Sequence, residues 1–352
     1  MKICDDCFND VELKGFIVSQ NQIGKCDICD KFEAFIIDIH EIFDFIKSLM
    51  SNFQVDEYSN NTPLVKFIQK HWSFFRDVET GNKILSPILN DINALIKDIN
   101  TSVKFNEDIE YNVGYWDSLK HKLKWENRYI TDIYYLTEGE LGWDGFFGSE
   151  VTISPSDLFY RGRLQNIADS PPYKNDEMFS PNKYVASAGR ANPSGIPYLY
   201  LCDNIKTVPY EIRASYLDEI SIGTFQLREG VNKTIRISDF TEKPSLFLGA
   251  EATYDVINKQ IKSTLLKNRI SFDLSKPMRR YDSELDYIPT QFICEFLKSF
   301  IGVDGIKFRS SLHTEGNNYV IFHQDIMKCL EVDRYTINKV EINAKEHILF
   351  RL

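Results

Sequence analysis

The chain has 352 residues, 43% of them apolar by type, with 41 basic against 51 acidic side chains and a formal charge of −10. That length can bury one large core or two moderate ones, because domains hold about 100–200 residues, and the acidic balance disfavours nonspecific binding to a phosphate backbone. Met1 to Cys7 lacks the basic start and apolar stretch of a secretory signal, and no apolar run approaches the about 20 residues that span a bilayer, so a soluble, cytoplasmic protein without membrane contact is expected.

The first element carries metal chemistry. Cys4-x2-Cys7 and Cys26-x2-Cys29 enclose eighteen residues, a spacing in which each pair forms a knuckle and the two knuckles close a tetrahedral thiolate site. Four thiolates leave no open position for water, so a structural zinc is expected and a catalytic one is not. A redox pair explains one CxxC but not two matched ones. A nucleic-acid-reading module is disfavoured by four lysines against six acids in residues 1–31. Leu13 to Ser19 with Asn21 to Gly24 reads as a small hairpin that needs metal to fold, which sets a zinc ribbon at 1–33. Cys202, Cys294 and Cys329 stand alone, as reduced core thiols do.

From Phe35 the period becomes helical, with Phe35, Ile36, Ile39, Ile42, Phe43, Ile46, Leu49 and Met50 on one stripe. Thr62-Pro63 opens a second helix through Leu64, Ile68 and Trp72, and Ser86-Pro87 a third through Ile88, Ile92 and Ile99. A fourth runs from Trp116 to Leu136. These stripes predict a helical bundle over 34–148. The stretch is similar to bundles of the HEPN ribonuclease type, but no arginine is followed by histidine with four to six residues between them, so nuclease activity is not expected. Gly139, Gly142, Gly145, Gly148 and Ser154-Pro-Ser156 break the period before a third region at 149–352.

In that region strands and helices alternate: strands at 157–163, 198–202, 220–227, 306–308 and 319–322, and helices at 252–266 and 290–300. The fold class is α+β with a central sheet.

The region also carries Phe159-Tyr-Arg161, Gly189-Arg-Ala-Asn-Pro-Ser-Gly195 followed by Tyr198-Leu-Tyr-Leu, Thr207-Val-Pro-Tyr-Glu-Ile-Arg213, Tyr287-Ile-Pro-Thr-Gln291, Gly305-Ile-Lys-Phe-Arg-Ser-Ser311 and Asn318-Tyr-Val-Ile-Phe322. In this order the pieces resemble the RES domain family, named for its arginine, glutamate and serine. The resemblance implies an NAD-consuming fold similar to ADP-ribosyltransferase toxins, with a mixed sheet and helices, often paired with an antitoxin. It puts the family's arginine on Arg190, its tyrosine on Tyr200, its glutamate on Glu211 and its serine on Ser310 or Ser311, with Ser310 preferred. Where the family usually has an aromatic after the arginine, this chain has Ala191.

The chemistry wants such groups. Cleaving nicotinamide from ribose leaves an oxocarbenium-like sugar, which a fixed carboxylate such as Glu211 stabilises in the transition state. A pyrophosphate calls for a planar guanidinium, as on Arg190, with Arg161 as a second. Tyr200 offers nicotinamide a stacking face, with Tyr160 or Tyr210 as alternates. Ser310 or Ser311 can bond a ribose or carboxamide, and Asn192 and Gly195 let backbone approach the nucleotide. Without the family pattern, Glu211 reads as an acid in a first helical turn, and His313 and His323 as structural histidines.

An NAD glycohydrolase acting on NAD as substrate is therefore expected. The other readings are ADP-ribosyl transfer to a protein and a non-catalytic nucleotide-binding module, which the missing aromatic after Arg190 favours. A free NADase is toxic to its host, so control by an antitoxin or other regulatory protein, by homo-oligomerisation, or by a sensing event is expected.

Overall fold

The computed structural model describes residues 1–57, 62–93, 95–129, 150–231, 233–242, 244–277 and 283–341. They form two compact units, one from 1–119 and 242–268, the other from 120–129, 150–241 and 269–341. Among the described residues no helix is long and apolar enough to cross a membrane.

The first unit opens with β1 (Lys2–Cys4), α1 (Val11–Ser19), β2 (Ile23–Gly24) and β3 (Ala34–Asp38), the strands pairing antiparallel in the order β1-β3-β2. The hairpin expected at Leu13 to Gly24 is not formed, because α1 takes its place. Asp10 caps that helix, its Oδ1 accepting from the Leu13 N–H at 3.1 Å, and Leu13 and Ile17, one turn apart, are fully buried. A carboxylate cap and an apolar i, i+4 pair outweigh Gly15. Asp10 Oδ2 also accepts from the N–H groups of Leu246 at 2.7 Å and Phe247 at 3.3 Å, which ties the 242–268 segment into this unit.

The stripe from Phe35 to Met50 also differs from expectation: its first part is β3, and α2 (Phe43–Met50) starts late. Apolar residues at 35, 36 and 39 suit either period, and Asp38 decides between them. It accepts from the His40 N–H at 3.1 Å, while Glu41 Oε1 accepts from the Asp38 N–H at 3.0 Å, a reciprocal cap that forbids helix before residue 39.

There follow β4 (Phe53–Val55), α3 (Leu64–Trp72), α4 (Val78–Leu85), α5 (Leu89–Ile92), β5 (Val103–Phe105) and α6 (Glu107–Trp125), with β4 antiparallel to β5. Ser86-Pro87 sits in a 3-10 turn between α4 and α5, and the helix expected to Ile99 stops at Ile92. There Asn93 turns extended and its Oδ1 takes the N–H groups of Leu95 at 2.8 Å and Ile96 at 3.0 Å, competing with the helical ladder. Ile130, Ile133, Leu136 and the glycines at 139, 142, 145 and 148 lie outside the described residues. One apolar cluster runs through the unit, from Ile3, Leu13 and Phe45 to Leu64, Leu85 and Ile257.

The second unit is built on an eight-stranded mixed sheet of β6 (Glu150–Thr152), β7 (Phe159–Leu164), β8 (Leu199–Cys202), β9 (Glu219–Leu227), β10 (Arg236–Asp239), β11 (Gly305–Arg309), β12 (Asn317–Ile321) and β13 (Met327–Thr336). Their order is β13-β9-β7-β8-β12-β11-β10-β6; β10 and β11 are parallel and the other neighbours antiparallel. With the helices α7 (Val208–Glu211), α8 (Tyr254–Ser275, its last turns in this unit) and α9 (Ile288–Phe296), this is the α+β class the sequence indicates.

The two-residue period of β8 sets up a functional face. Leu199 and Leu201 enter the core with Phe159, Phe225 and Ile321, which leaves Tyr200 and Cys202 on the opposite face. On β12 the register sets Asn318 directly opposite Cys202.

Candidate active site and metal centre

A cleft of about 370 Å³ lies in the second unit, and Arg161, Arg190, Tyr200, Glu211 and Ser311 all line it. Each arrives from a different element. Glu211 is the last residue of α7, a single turn with Pro209 at its start, and Gly162 of β7 lets that turn sit close. A Cβ at Gly162 would come within 2.4 Å of Val208 Cγ1, so only glycine permits the approach.

Glu211 is held by one of its oxygens. Its Oε1 accepts from Ser310 Oγ at 2.6 Å and from Asn318 Nδ2 at 2.8 Å, and among the described residues Oε2 has no donor. Ser310 Oγ in turn accepts from the N–H groups of Leu312 at 3.2 Å and His313 at 3.1 Å, so its one proton is directed at the carboxylate. Asn318 Oδ1 accepts from Cys202 Sγ at 3.3 Å, which orients the amide with its nitrogen toward Glu211.

Arg190 rides on a clamped loop. The Tyr200 hydroxyl donates to Asn192 Oδ1 at 2.7 Å and accepts from the Ala191 N–H at 3.0 Å. Gln291 Nε2, on α9, donates to the carbonyls of Gly189 at 2.8 Å and Asn192 at 3.0 Å, and Thr290 Oγ1 donates to the Arg190 carbonyl at 2.6 Å. Gly189 has no room for a side chain, since a Cβ would lie 2.6 Å from Asn192 Oδ1 and 2.8 Å from the Tyr200 oxygen.

The two arginines are incompletely partnered. Arg190 Nη1 donates to the Asp273 carbonyl at 2.9 Å and its guanidinium lies 5.7 Å from the centre of the Tyr287 ring, yet its buried Nη2 finds no acceptor among the described residues. Arg161 Nε and Nη1 are buried without an acceptor as well. Burial, and after it the neighbouring charge of Arg163, pulls the Arg161 guanidinium down to about 10, so it stays cationic at neutral pH. Burial likewise lowers Arg190. Unpaired buried donors cost about 1–3 kcal/mol each, more when charged, so the cleft is set up to receive an anion.

Not every candidate reaches the cleft. Ser310 stands behind Glu211, whereas Ser311 lines the cleft and donates to the Ser275 carbonyl. Asn192 is 4% exposed and bonded within its loop, where it shapes the backbone that presents Arg190. Tyr210 stacks on His313 at 5.1 Å and does not line the cleft, while Tyr160 does. The Tyr200 hydroxyl is spent on the loop, leaving its ring for a ligand. Tyr287 and Asn318 were unassigned in the sequence, although both lie in pieces shared with the RES family; strand register and the Arg190 loop give them their places.

In the first unit the sulfurs of Cys4, Cys7, Cys26 and Cys29 all lie within 4.8 Å of one another. The close approaches are 3.6 Å for Cys4 with Cys7, 3.5 Å for Cys4 with Cys29 and 3.7 Å for Cys7 with Cys26. A tetrahedral zinc with bonds of about 2.3 Å needs edges of about 3.8 Å, so the set fits a metal ion. The Ile28 N–H donates to Cys26 Sγ at 3.4 Å, the usual support for a thiolate ligand. These cysteines belong to the large apolar cluster, with Cys4, Cys7 and Cys26 fully buried.

A family model described as the RES domain matches residues 163–340, half of the chain. No curated protein and no solved structure matches it.

Proposed function

The chain belongs to the RES domain family, which is linked to NAD-related toxin function, and on that premise we propose that it is an NAD glycohydrolase. The observation that carries this reading is one cleft holding the Glu211 carboxylate together with the unpartnered guanidinium N–H groups of Arg161 and Arg190. NAD offers what that set needs: a pyrophosphate for the two arginines and a ribose that becomes cationic beside a carboxylate.

In the reaction the bond between ribose C1′ and the nicotinamide nitrogen breaks, and its electron pair leaves with nicotinamide, which becomes neutral. The remaining oxocarbenium is stabilised by Glu211, whose Oε1 is held by Ser310 and Asn318 so that Oε2 is available. Water adds to C1′ and releases a proton, giving ADP-ribose. The rings of Tyr200 and Tyr287 provide flat surfaces for nicotinamide. Arg161 and Arg190 bind without reacting, so they act chiefly on substrate affinity.

The four cysteines hold a structural zinc in this reading. An activity of this kind depletes the host's NAD, so restraint by a partner protein, by oligomerisation or by the amino-terminal half belongs to the same proposal. The test is incubation with NAD labelled in its adenylate half. Free ADP-ribose and nicotinamide in equal amounts support hydrolysis, label on a macromolecule supports transfer instead, and intact NAD overturns both.

A further inference from the structure

Arg190 lines a second cavity besides the cleft. This space, of about 260 Å³, is walled also by Lys120, Lys124 and Trp125 at the end of α6 and by Asp273 and Lys276 at the end of α8. Its α6 residues precede the region matched by the family, so part of its wall lies outside the matched domain.

Among the described residues of the wall the charges do not balance. Lys120 Nζ lies 3.0 Å from Asp273 Oδ2 and Lys124 Nζ 2.5 Å from Asp286 Oδ1, which neutralises both acids of the wall. Lys276 and Arg190 are left in surplus, and Arg190 Nη2 has no acceptor among the described residues. Asp286 senses the same field: Lys124 holds its carboxyl below the usual range, with Lys276 and Arg190 adding to the effect. Beside these cations stands the Trp125 indole, 65% exposed, a free aromatic face next to a positive pocket.

Two surplus cations suit a phosphate, and an indole face suits a heterocyclic base. We propose that this cavity binds the adenylate moiety of a purine nucleotide, its phosphate against Lys276 and Arg190 and its base on Trp125. Two sources share that chemistry: the adenylate half of a dinucleotide substrate, which rests on the NAD reading above, and a free nucleotide acting as an effector, which does not. Because Arg190 belongs to both spaces, either occupant would bear on the residue that grips substrate.

The test is titration of the full-length protein with AMP, followed by Trp fluorescence and by calorimetry, independently of any NAD cleavage. AMP should quench saturably, Trp125→Phe should remove the quench, adenosine lacking the phosphate should bind at least tenfold more weakly, and Lys276→Glu should raise the Kd for AMP at least tenfold. Lys276 is exposed, so that variant is expected to fold, and circular dichroism checks it. Equal binding of AMP and adenosine, an unchanged Kd in folded Lys276→Glu, or no saturable AMP binding up to millimolar concentration overturns the proposal. With the Glu211→Gln variant, NAD competing with AMP identifies the substrate's own adenylate, and simultaneous binding identifies a free effector; either outcome supports the site.

Discussion

Ser310 donates its hydroxyl proton to Glu211 Oε1 across 2.6 Å, joining two residues 99 positions apart in the chain. The serine is held by two backbone N–H groups and the carboxylate also by Asn318, so the orientation of Glu211 is determined before any ligand arrives. Preorganised charge of this kind lowers a barrier because nothing needs to rotate during the reaction.

Glu211→Gln keeps the acceptor for Ser310 and Asn318 but removes the negative charge. Nicotinamide release should fall by about a hundredfold or more in kcat, with little change in KM, as for the loss of one preorganised electrostatic group. Steady-state kinetics with NAD measures it, and a kcat within threefold of wild type would remove Glu211 from the chemistry.

Asn318 acts through the same oxygen. Asn318→Leu should lower kcat by about ten- to a hundredfold, the loss of one hydrogen bond to a charged group at about 1.5–3 kcal/mol. Asn318→Asp should do something different: a second carboxylate beside Glu211 favours retention of a proton by the pair, so activity should be lost at a higher pH on acidification than in wild type. The pH profile of kcat distinguishes this from misfolding, since raising pH should restore the Asp variant but not the Leu one.

Arg161 is kept cationic in a place that disfavours its charge. Its folded pKa, about 10, lies below its ordinary value, so the folded state binds fewer protons between about 10 and the normal arginine range, and stability gains as pH rises through that window. Below it the penalty of the buried charge is fully present. Arg161→Met should therefore raise Tm at neutral pH by about 2 °C or more, while abolishing the thermal shift caused by NAD. The Tm advantage should shrink as pH climbs past 10. A lower Tm for the variant at pH 7 would contradict the penalty.

Metal should matter to the first unit. Zinc analysis is expected to find one ion per chain, and a strong chelator or Cys4→Ser should unfold residues 1–119, because structural zinc contributes about 10–16 kcal/mol in small cysteine modules, comparable to a typical domain's whole stability. Hydrogen exchange read peptide by peptide would report it, with early loss of protection at Ile3, Leu13 and Ile17, which share the cysteines' core. Full protection in verified metal-free protein would argue against a stabilising ion.

Gly189→Ala forces a Cβ against Asn192 and Tyr200. The Arg190 loop should shift, raising KM for NAD about tenfold while the fold persists, since binding geometry is sensitive to displacements of about 1 Å. A crystal structure and a KM measurement on the same variant check both parts.

Much of the sheet was legible because its strands carry a two-residue period: β8, β9, β11 and β12 were expected within a residue or two of where they lie. The three-residue strands β4, β5 and β6 were not, since a period cannot be read over so few positions, and neither were β10 and the ten-residue β13, whose irregularity between Cys329 and Glu331 breaks the alternation. The α1 segment misled because Gly15 suggests a turn, whereas Asp10 and the buried pair Leu13 and Ile17 decide for helix.

By itself the sequence determined the paired cysteines, the α+β alternation and the ordered pieces of the RES pattern, all of which are local in the chain. Only the tertiary structure decided that Asn318 and Ser310 share one oxygen of Glu211, that among the described residues Arg161 Nε and Nη1 and Arg190 Nη2 find no acceptor in a common cleft, and that Lys276 and Trp125 meet at a cavity beyond Arg190. Register, burial and unpaired charge arise from residues a hundred and more positions apart, and neither spacing nor composition encodes which donors remain unpaired once the chain has folded.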